Sequence, residues 1–526
     1  MEDQLQKVAI IVAPVVCHNL DPHTGIPFMP HMAAHLGGAL HHAGYDVQVI
    51  DAFGLQPNKV RIHDEFMFLG EDEYWIERNI RENTEAIFIY CRTMAEYVPI
   101  MRIVGVLKDK RPNVRIALFE NIQSVTSFSL NEISDDLLNG GCDVLVMGEP
   151  EQRAQELAIA LIEKRADYGA ISGVAWMVDG KVQKSLAEPF NKSLDDLPLP
   201  LWERFPLKGY WIAGFAHAPN TERKFLPILT SRGCPYRCTF CISPSLNPNW
   251  RGRSAKSVVD EMEYFYRVMG ITEFHVSDLD PTVNDKRTKA ICEDIISRCL
   301  PITWKLAQGT KIETIKSEKT LELMKKSGVT FVAFSPESGS PRMLEVFNKP
   351  FDHEHALKML RKMSELGIHT QACFIGGVPS EEKEDRLQSL SYLKKLMKAG
   401  LDEVAVYVFA PIPGAKLSQS LKGYATYSQC TFSPTWRDDY DEINAYRFQM
   451  YRLYFCMLFL QPVKVFKRAI GFLSGRHHTK MEMSIKKQIK LSMLRCAPWL
   501  FPRLKSEVEL ERAQKRIVHG YDILKK

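Results

Sequence analysis

The sequence predicts an α/β protein with three parts: a doubly wound parallel sheet, a partial (β/α)6 barrel and a helical C-terminal region. Two observations carry this. Short apolar runs alternate with helical lengths over residues 1–165, and a second such series of six follows over 225–413. Alternation of this kind builds parallel sheets wrapped by helices. A chain of 526 residues is also too long for one core.

In the first region Val8–Val12 is a continuous apolar run, and Pro30 to Ala43 reads as a helix opened by proline and stopped by Gly44. Asp46–Ala52, Ala86–Cys91, Val114–Glu120 and Asp143–Gly148 follow as buried strands. Ligands of such sheets sit beyond the carboxyl ends of the strands. That singles out the loops Ala13–Pro30, Cys91–Glu96, Glu120–Thr126 and Gly148–Gln152. Residues 166–224 read as a hairpin turning at Asp179-Gly180, then a proline-rich linker over Asp195–Pro206. In 225–420 the strands are Phe225–Thr230, Glu273–Ser277, Thr303–Ala307, Thr330–Ser335, Thr370–Ile375 and Glu403–Phe409. Ser380, ahead of Glu381 and Glu382, reads as a helix N-cap. Residues 421–526 are helical, basic and amphipathic.

Composition excludes several classes. An apolar fraction of 45% and a net charge of +5 describe a globular protein with no case for a nucleic-acid partner. The acidic start and the short apolar run Val8–Val16 do not make a secretory signal. Leu453–Leu460 falls well short of the ~20 residues that span a bilayer. The expected location is the cytoplasm. Cys91, Cys142, Cys292 and Cys373 stand alone in apolar segments, as small buried hydrophobes do. One group is clustered, and clustering in a reducing compartment points to metal.

That group follows the first barrel strand: Ser231-Arg232-Gly233-Cys234-Pro235-Tyr236-Arg237-Cys238-Thr239-Phe240-Cys241. The strand delivers it to the barrel mouth, where catalytic groups belong. Three thiolates spaced four and three residues apart can wrap one corner of an iron–sulfur cubane and leave one iron open, since such clusters are usually held by four. The alternative is zinc, which wants four ligands in a structural site. No second cysteine pair is present.

Cys-x-x-x-Cys-x-x-Cys with an aromatic before the last cysteine resembles the radical S-adenosylmethionine (SAM) superfamily. The resemblance implies that Cys234, Cys238 and Cys241 hold a [4Fe–4S] cluster whose open iron chelates SAM. An external donor of flavodoxin or ferredoxin type would reduce it, and SAM would split to a 5′-deoxyadenosyl radical. By the same likeness Phe240 packs beside adenine, and Glu337-Ser338 contact ribose and methionine. Gly376-Gly377 let the backbone approach SAM, and Tyr407–Gly414, including Pro413, flanks adenine. Asp278 and Asp280 fall on the substrate side, as does Gln308-Gly309-Thr310. No catalytic side chain is assigned.

An open, Rossmann-like sheet ahead of such a barrel resembles the cobalamin-binding branch of that superfamily, the class B radical SAM methyltransferases, over residues 5–420. Pro14, Gly148, Glu149 and Glu151 are then the residues implied to face cobalamin. Two features depart from the pattern. Asp21-Pro22-His23-Thr24-Gly25 has its glycine one place early for Asp-x-His-x-x-Gly, so His23 reads as a loop histidine rather than a cobalt ligand. Glu120-Asn121-Ile122-Gln123 stands where a glycine pair is usual. The implied activity is methyl transfer to an unactivated carbon. The rivals are ring formation or rearrangement by the same build and, more remotely, a non-catalytic cobalamin sensor, which would need no cysteine trio.

Residues 443–505 carry thirteen lysines and arginines against one glutamate, Glu482, interleaved with Phe455, Phe459, Val463, Phe466, Ile470, Leu473, Ile485, Trp499 and Phe501 among others. This is the make-up of a helix lying in a membrane interface and suggests a hydrophobic or lipid-like small-molecule substrate. A helical cap with a solvated basic face is the equal alternative.

Overall fold

The computed structural model describes residues 6–496, apart from 19–20, 22–23, 64, 187–189 and 422. The described residues divide into two compact units: those in 6–18, 27–213 and 491–496 form the first, and those in 21–26 and 214–490 the second.

The first unit is built on a seven-stranded sheet. Its strands are β1 (Lys7–Val12), β3 (Asp46–Asp51), β6 (Ala86–Cys91), β7 (Arg115–Glu120), β8 (Val144–Val146), β9 (Val174–Val178) and β10 (Lys181–Lys184). They lie in the order β10-β9-β8-β7-β6-β1-β3. β3 through β8 are parallel, and the β9–β10 hairpin joins antiparallel. The apolar runs are strands because both faces are covered: Val8 to Val12 and Ala86 to Cys91 are all fully buried. Asp179 and Gly180 turn the hairpin at φ 48° and 73°, as a type I′ turn requires.

Two expectations change here. The hairpin belongs to this sheet, since Val144–Val146 supplies an edge for it to extend. The proline-rich segment is packed rather than a free linker. Leu201 donates its N–H to Ala34 O (2.9 Å), and the Leu199 carbonyl lies 2.2 Å from where a Cβ on Gly38 would stand. A small antiparallel sheet, β2 (Val15–His18), β4 (Val60–His63) and β5 (Phe66–Leu69), was not legible in the sequence. Its strands are four residues long, and two lie over forty residues from the third.

The second unit is a six-stranded parallel sheet: β11 (Phe225–Ile228), β14 (Glu273–Val276), β15 (Thr303–Thr310), β16 (Val329–Glu337), β17 (His369–Gly376) and β18 (Glu403–Val408), paired in that order. A two-stranded ribbon, β12 (Ser231–Arg232) with β13 (Arg251–Gly252), stands on β11. The sheet is curved into a partial barrel. Lys480 Nζ donates to Ala307 O on β15 (3.1 Å) and stands 5.8 Å from the Phe331 ring on β16. It also acts electrostatically on Cys373 of β17 and Glu403 of β18.

Ser380 is not an N-cap. The helix Lys383–Lys398 is capped by Glu382, in a reciprocal capping box with Asp385, because Ser380 is held one turn too early with its carbonyl on Arg342. Helices Tyr440–Phe459, Pro462–Ser474 and Lys480–Cys496 follow the barrel. Among the described residues no helix is long and apolar enough to cross a membrane.

Asp51 illustrates how the first unit is held. Fully buried, it caps helix Ala52–Leu55 through Gly54 N–H (3.0 Å) and accepts the Tyr210 hydroxyl (2.8 Å). Burial raises its pKa to about 6, above the ~3.9 of an unfolded aspartate. The folded chain therefore holds an extra proton between these values, and stability falls as pH rises from about 4 to about 6. Asp51→Asn keeps the cap and removes the charge. Thermal unfolding across this window should show a flatter pH dependence in the variant.

Candidate functional site

The cysteine loop is fixed at its base before any sulfur is considered. Asp278, at the end of β14, accepts Thr230 N–H (2.7 Å), Thr230 Oγ1 (2.5 Å) and Ser231 Oγ (2.6 Å). Gly233 then turns at φ 78°, where a Cβ would lie 2.2 Å from Asn249 O. Only glycine fits such a position. Cys234 N–H donates to Asn247 O, and Cys241 Sγ accepts Ser243 N–H (3.3 Å).

A second segment clamps the far side. Thr239 donates its N–H to Phe347 O (3.0 Å) and its hydroxyl to Val346 O (2.8 Å), while Asn348 Nδ2 donates to Arg237 O (2.9 Å). Phe240 packs edge-on to Phe347 at 5.3 Å. Lys349 lies 5.9 Å from the Phe240 ring and forms a buried ion pair with Glu337 (2.6 Å). The loop after β18 closes the ring: Leu417 N–H donates to Thr239 O (2.8 Å), and Ile412 and Ala415 pack on Ile242.

The three cysteines are partly exposed, whereas Cys91, Cys142, Cys292 and Cys373 are buried. Burial raises the Cys238 and Cys241 thiols above their ordinary range and pushes Cys234 up to about 12. The loop therefore favours thiols until a cationic group compensates, which is what cluster iron does. Lys349 opposes the rise at all three and Lys311 at Cys238. Among the described residues no three His, Cys, Asp or Glu side chains are grouped to hold a single metal ion. A cubane suits the trio, because each thiolate takes a different iron and the sulfurs need not converge on a point.

The other expected residues fall in two groups. Glu337 lies at the barrel mouth with φ 61°, its carboxylate on Lys349. Burial works against the Lys349 charge, but Glu337 and Cys238 outweigh it and hold the ammonium above its usual pKa. Asp280 keeps one oxygen on Thr282 and Thr314, while the other is buried without a partner. Burial raises its pKa to about 7. Pro413 is buried in the loop over Ile242.

Asp278, Ser338, Gly376 and Gly377 are instead engaged internally. Ser338 Oγ contacts Ser389 Oγ (3.0 Å) and accepts Ser340 N–H. Added Cβ atoms on Gly376 and Gly377 would meet Tyr446 at 3.0 Å and Ile443 at 2.5 Å. The close approach that these glycines permit is thus to helix Tyr440–Phe459. Sequence reasoning missed Lys349 and Asn348. Asn348-Lys349-Pro350 was the available signal, an asparagine at positive φ before a proline stop.

In the first unit Gly148 donates its N–H to Glu120 Oε1 (3.0 Å), whose other oxygen takes Leu130 N–H (3.0 Å). Glu149 and Glu151 hold Asn191, and Pro14 is buried after β1. His23 lies outside the described residues. Asp21 forms a buried pair with Arg447 (3.1 Å) and accepts Ser433 Oγ (2.6 Å). Beyond β6 and β7 lies a set of fully buried polar groups without partners: both amide atoms of Gln123, the Ser127 and Ser129 hydroxyls, and Tyr90 OH. Buried polar groups are normally satisfied. A polar-rimmed ligand at the carboxyl edge of this sheet, such as the amide-fringed corrin of cobalamin, fits them.

Comparison with known proteins agrees with this geometry. Residues 228–393 match the radical SAM superfamily, so this segment is a radical SAM domain, the class that carries a [4Fe–4S] cluster and SAM. The fold extends the likeness beyond the domain. A cobalamin- and [4Fe–4S]-bound structure of the radical SAM methyltransferase TsrM from Kitasatospora setae superimposes with a TM-score of 0.60 at 18% identity, covering 79% of this chain and 77% of that one. An uncharacterized methyltransferase of Pyrococcus horikoshii is 30% identical over 296 residues, 56% of this chain and 60% of the relative. The anaerobic magnesium-protoporphyrin IX monomethyl ester cyclase of Rubrivivax gelatinosus is 30% identical over 284 residues, 53% of this chain and 49% of the relative. The chain thus matches between half and three fifths of the length of these curated relatives.

Lys349→Ala would leave the Glu337 carboxylate buried and alone, and breaking such a pair typically costs about 3–5 kcal/mol. Denaturant unfolding should show that loss. Lys349→Arg should recover part of it.

Proposed function

We propose that this protein is a cobalamin-dependent radical SAM enzyme that methylates an unactivated carbon of a small molecule. The observation that carries the reading is the doubly clamped cysteine loop at the mouth of the barrel. Bound there, the cluster would supply the electron that splits SAM, and cobalamin on the first unit would supply the methyl group. The chain's own residues position these groups. Cys234, Cys238 and Cys241 take the cluster, Phe240 offers an aromatic face, and Glu337 and Asp280 stand at the rim. Pro14, Gly148, Glu149 and Glu151 frame the edge where Gln123 and Tyr90 would meet cobalamin. A cyclase among the relatives keeps ring formation as the second reading.

The experiment is anaerobic reconstitution of the full chain, with iron, sulfide and cobalamin read per chain by absorbance. Wild type should hold a cluster and release 5′-deoxyadenosine from SAM. Replacing all three cysteines with alanine should abolish both. SAM cleavage at an unchanged rate in that variant would overturn the reading. Product mass separates the chemistries, because methylation adds one methylene and cyclisation does not. Iron without cobalamin would favour the second.

We further propose that the C-terminal helices rest on anionic membrane and that the substrate is hydrophobic or lipid-like. Helix Pro462–Ser474 supports this, because its polarity is reversed. Lys464 and Arg468 turn inward, onto Gly400 O (2.8 Å) and Asp402 O. Val463, Phe466, Ile470 and Leu473 face outward, Phe466 67% and Leu473 83% exposed. Lys467 and Arg476 are exposed beside them, which suits anionic headgroups. Part of the basic face expected to be solvated is engaged inside the protein, Arg447 on Asp21 and Lys487 on Thr24 O. Full-length protein should float with phosphatidylserine-containing vesicles, and Phe466→Ser with Leu473→Ser should release it. Failure of wild type to float would remove this membrane assignment.

A further inference from the structure

Lysines enter the barrel interior or its rim at several places. Lys311, at the end of β15, donates to Pro350 O (2.7 Å). Lys305 pairs with Glu273 (2.7 Å) and also donates to Pro219 O and Thr221 Oγ1. Lys349 pairs with Glu337. Lys480 differs. Among the described residues its ammonium has one hydrogen-bond acceptor, Ala307 O (3.1 Å), and no carboxylate ion pair. The neighbouring acid, Glu403, is already taken by Met481 N–H (2.8 Å) and Gln371 Nε2 (2.9 Å), and burial raises its pKa to about 7. Burial also lowers the Lys480 pKa against the pull of Cys373 and Glu403. Lys480 keeps part of its surface free, and one carbonyl answers only one of the three N–H groups of its ammonium.

Glu403, Ala405 and Tyr407 alternate onto one face of β18, as Gln371, Cys373 and Ile375 do on β17. Tyr407 keeps 41% of its surface free and lies opposite Ile375, near the carboxyl ends of β17 and β18.

We propose that Lys480 is the anion receptor of the barrel lumen: its ammonium takes a carboxylate or phosphate carried by the substrate. The cation reaches the lumen from the C-terminal helices, so the segment that follows the barrel sets what the barrel accepts. This rests on the proposed function in treating the lumen as the substrate side.

The test uses anaerobically reconstituted full-length protein and three probes of one shape, phenylacetate, phenethylamine and 2-phenylethanol, with phenylphosphonate as the phosphate-like arm. Saturation-transfer NMR should show the anions bound in preference to the amine and the alcohol. Lys480→Met should weaken anion binding about tenfold, the scale of one lost charge-assisted hydrogen bond, and Lys480→Arg should restore part of it. The stronger of phenylacetate and phenylphosphonate names the anion. Iron content and substrate-free SAM cleavage should be unchanged in both variants. Loss of those two in wild type would refute the functional reading, not the receptor. As a second measure independent of folding, reductive methylation of wild type should modify the Lys480 peptide less when the anion is present. No selection for anions, or selection that survives Lys480→Met, overturns the proposal.

Discussion

A loop that is to offer three sulfurs to one cluster, as proposed, must be held by something other than those sulfurs. Here the constraint is hydrogen bonding at both ends. Asp278 grips Thr230 and Ser231 below, and residues 346–348 grip Arg237 and Thr239 above. Because none of these bonds runs to a cysteine sulfur, the loop's shape does not depend on what the thiols bind. Charge follows from that shape. The thiols sit where burial favours protonation, and Lys349 is placed against the same loop by the segment that clamps it. One short stretch after β16 thus supplies both part of the fixation and a cation that acts on all three thiols.

Much of this was legible in the sequence. The apolar runs of both sheets became strands close to their expected bounds, since a strand buried on both faces has little choice of residue. The cysteine trio was legible because its spacing is its chemistry. The side chains that serve the trio were not. Asp278 and Asp280 read as equivalent acids at a strand end, yet one is saturated by the loop and the other keeps a bare oxygen. Lys349 lies over a hundred residues from the cysteines, and only folding brings it near. The glycines after β17 read as an approach to a ligand, but the structure places a helix there. Glycine records that something comes close, not what.

The C-terminal region gives the opposite lesson. Its cations and apolar groups were countable, but not which way they turn. Lys464 and Arg468 are drawn inward by the carbonyls that precede β18, which hold the helix with its apolar stripe out. Periodicity reports that a helix has two faces. Which one meets the protein depends on the surface waiting for it.

The small segment 21–26 sits with the second unit although it lies near the start of the chain. Asp21 meets Arg447 and Thr24 meets Lys487, across more than four hundred residues. During synthesis the barrel strands can therefore form well before these ties, which must wait until the helices Tyr440–Phe459 and Lys480–Cys496 have left the ribosome. Contacts so distant in sequence form late.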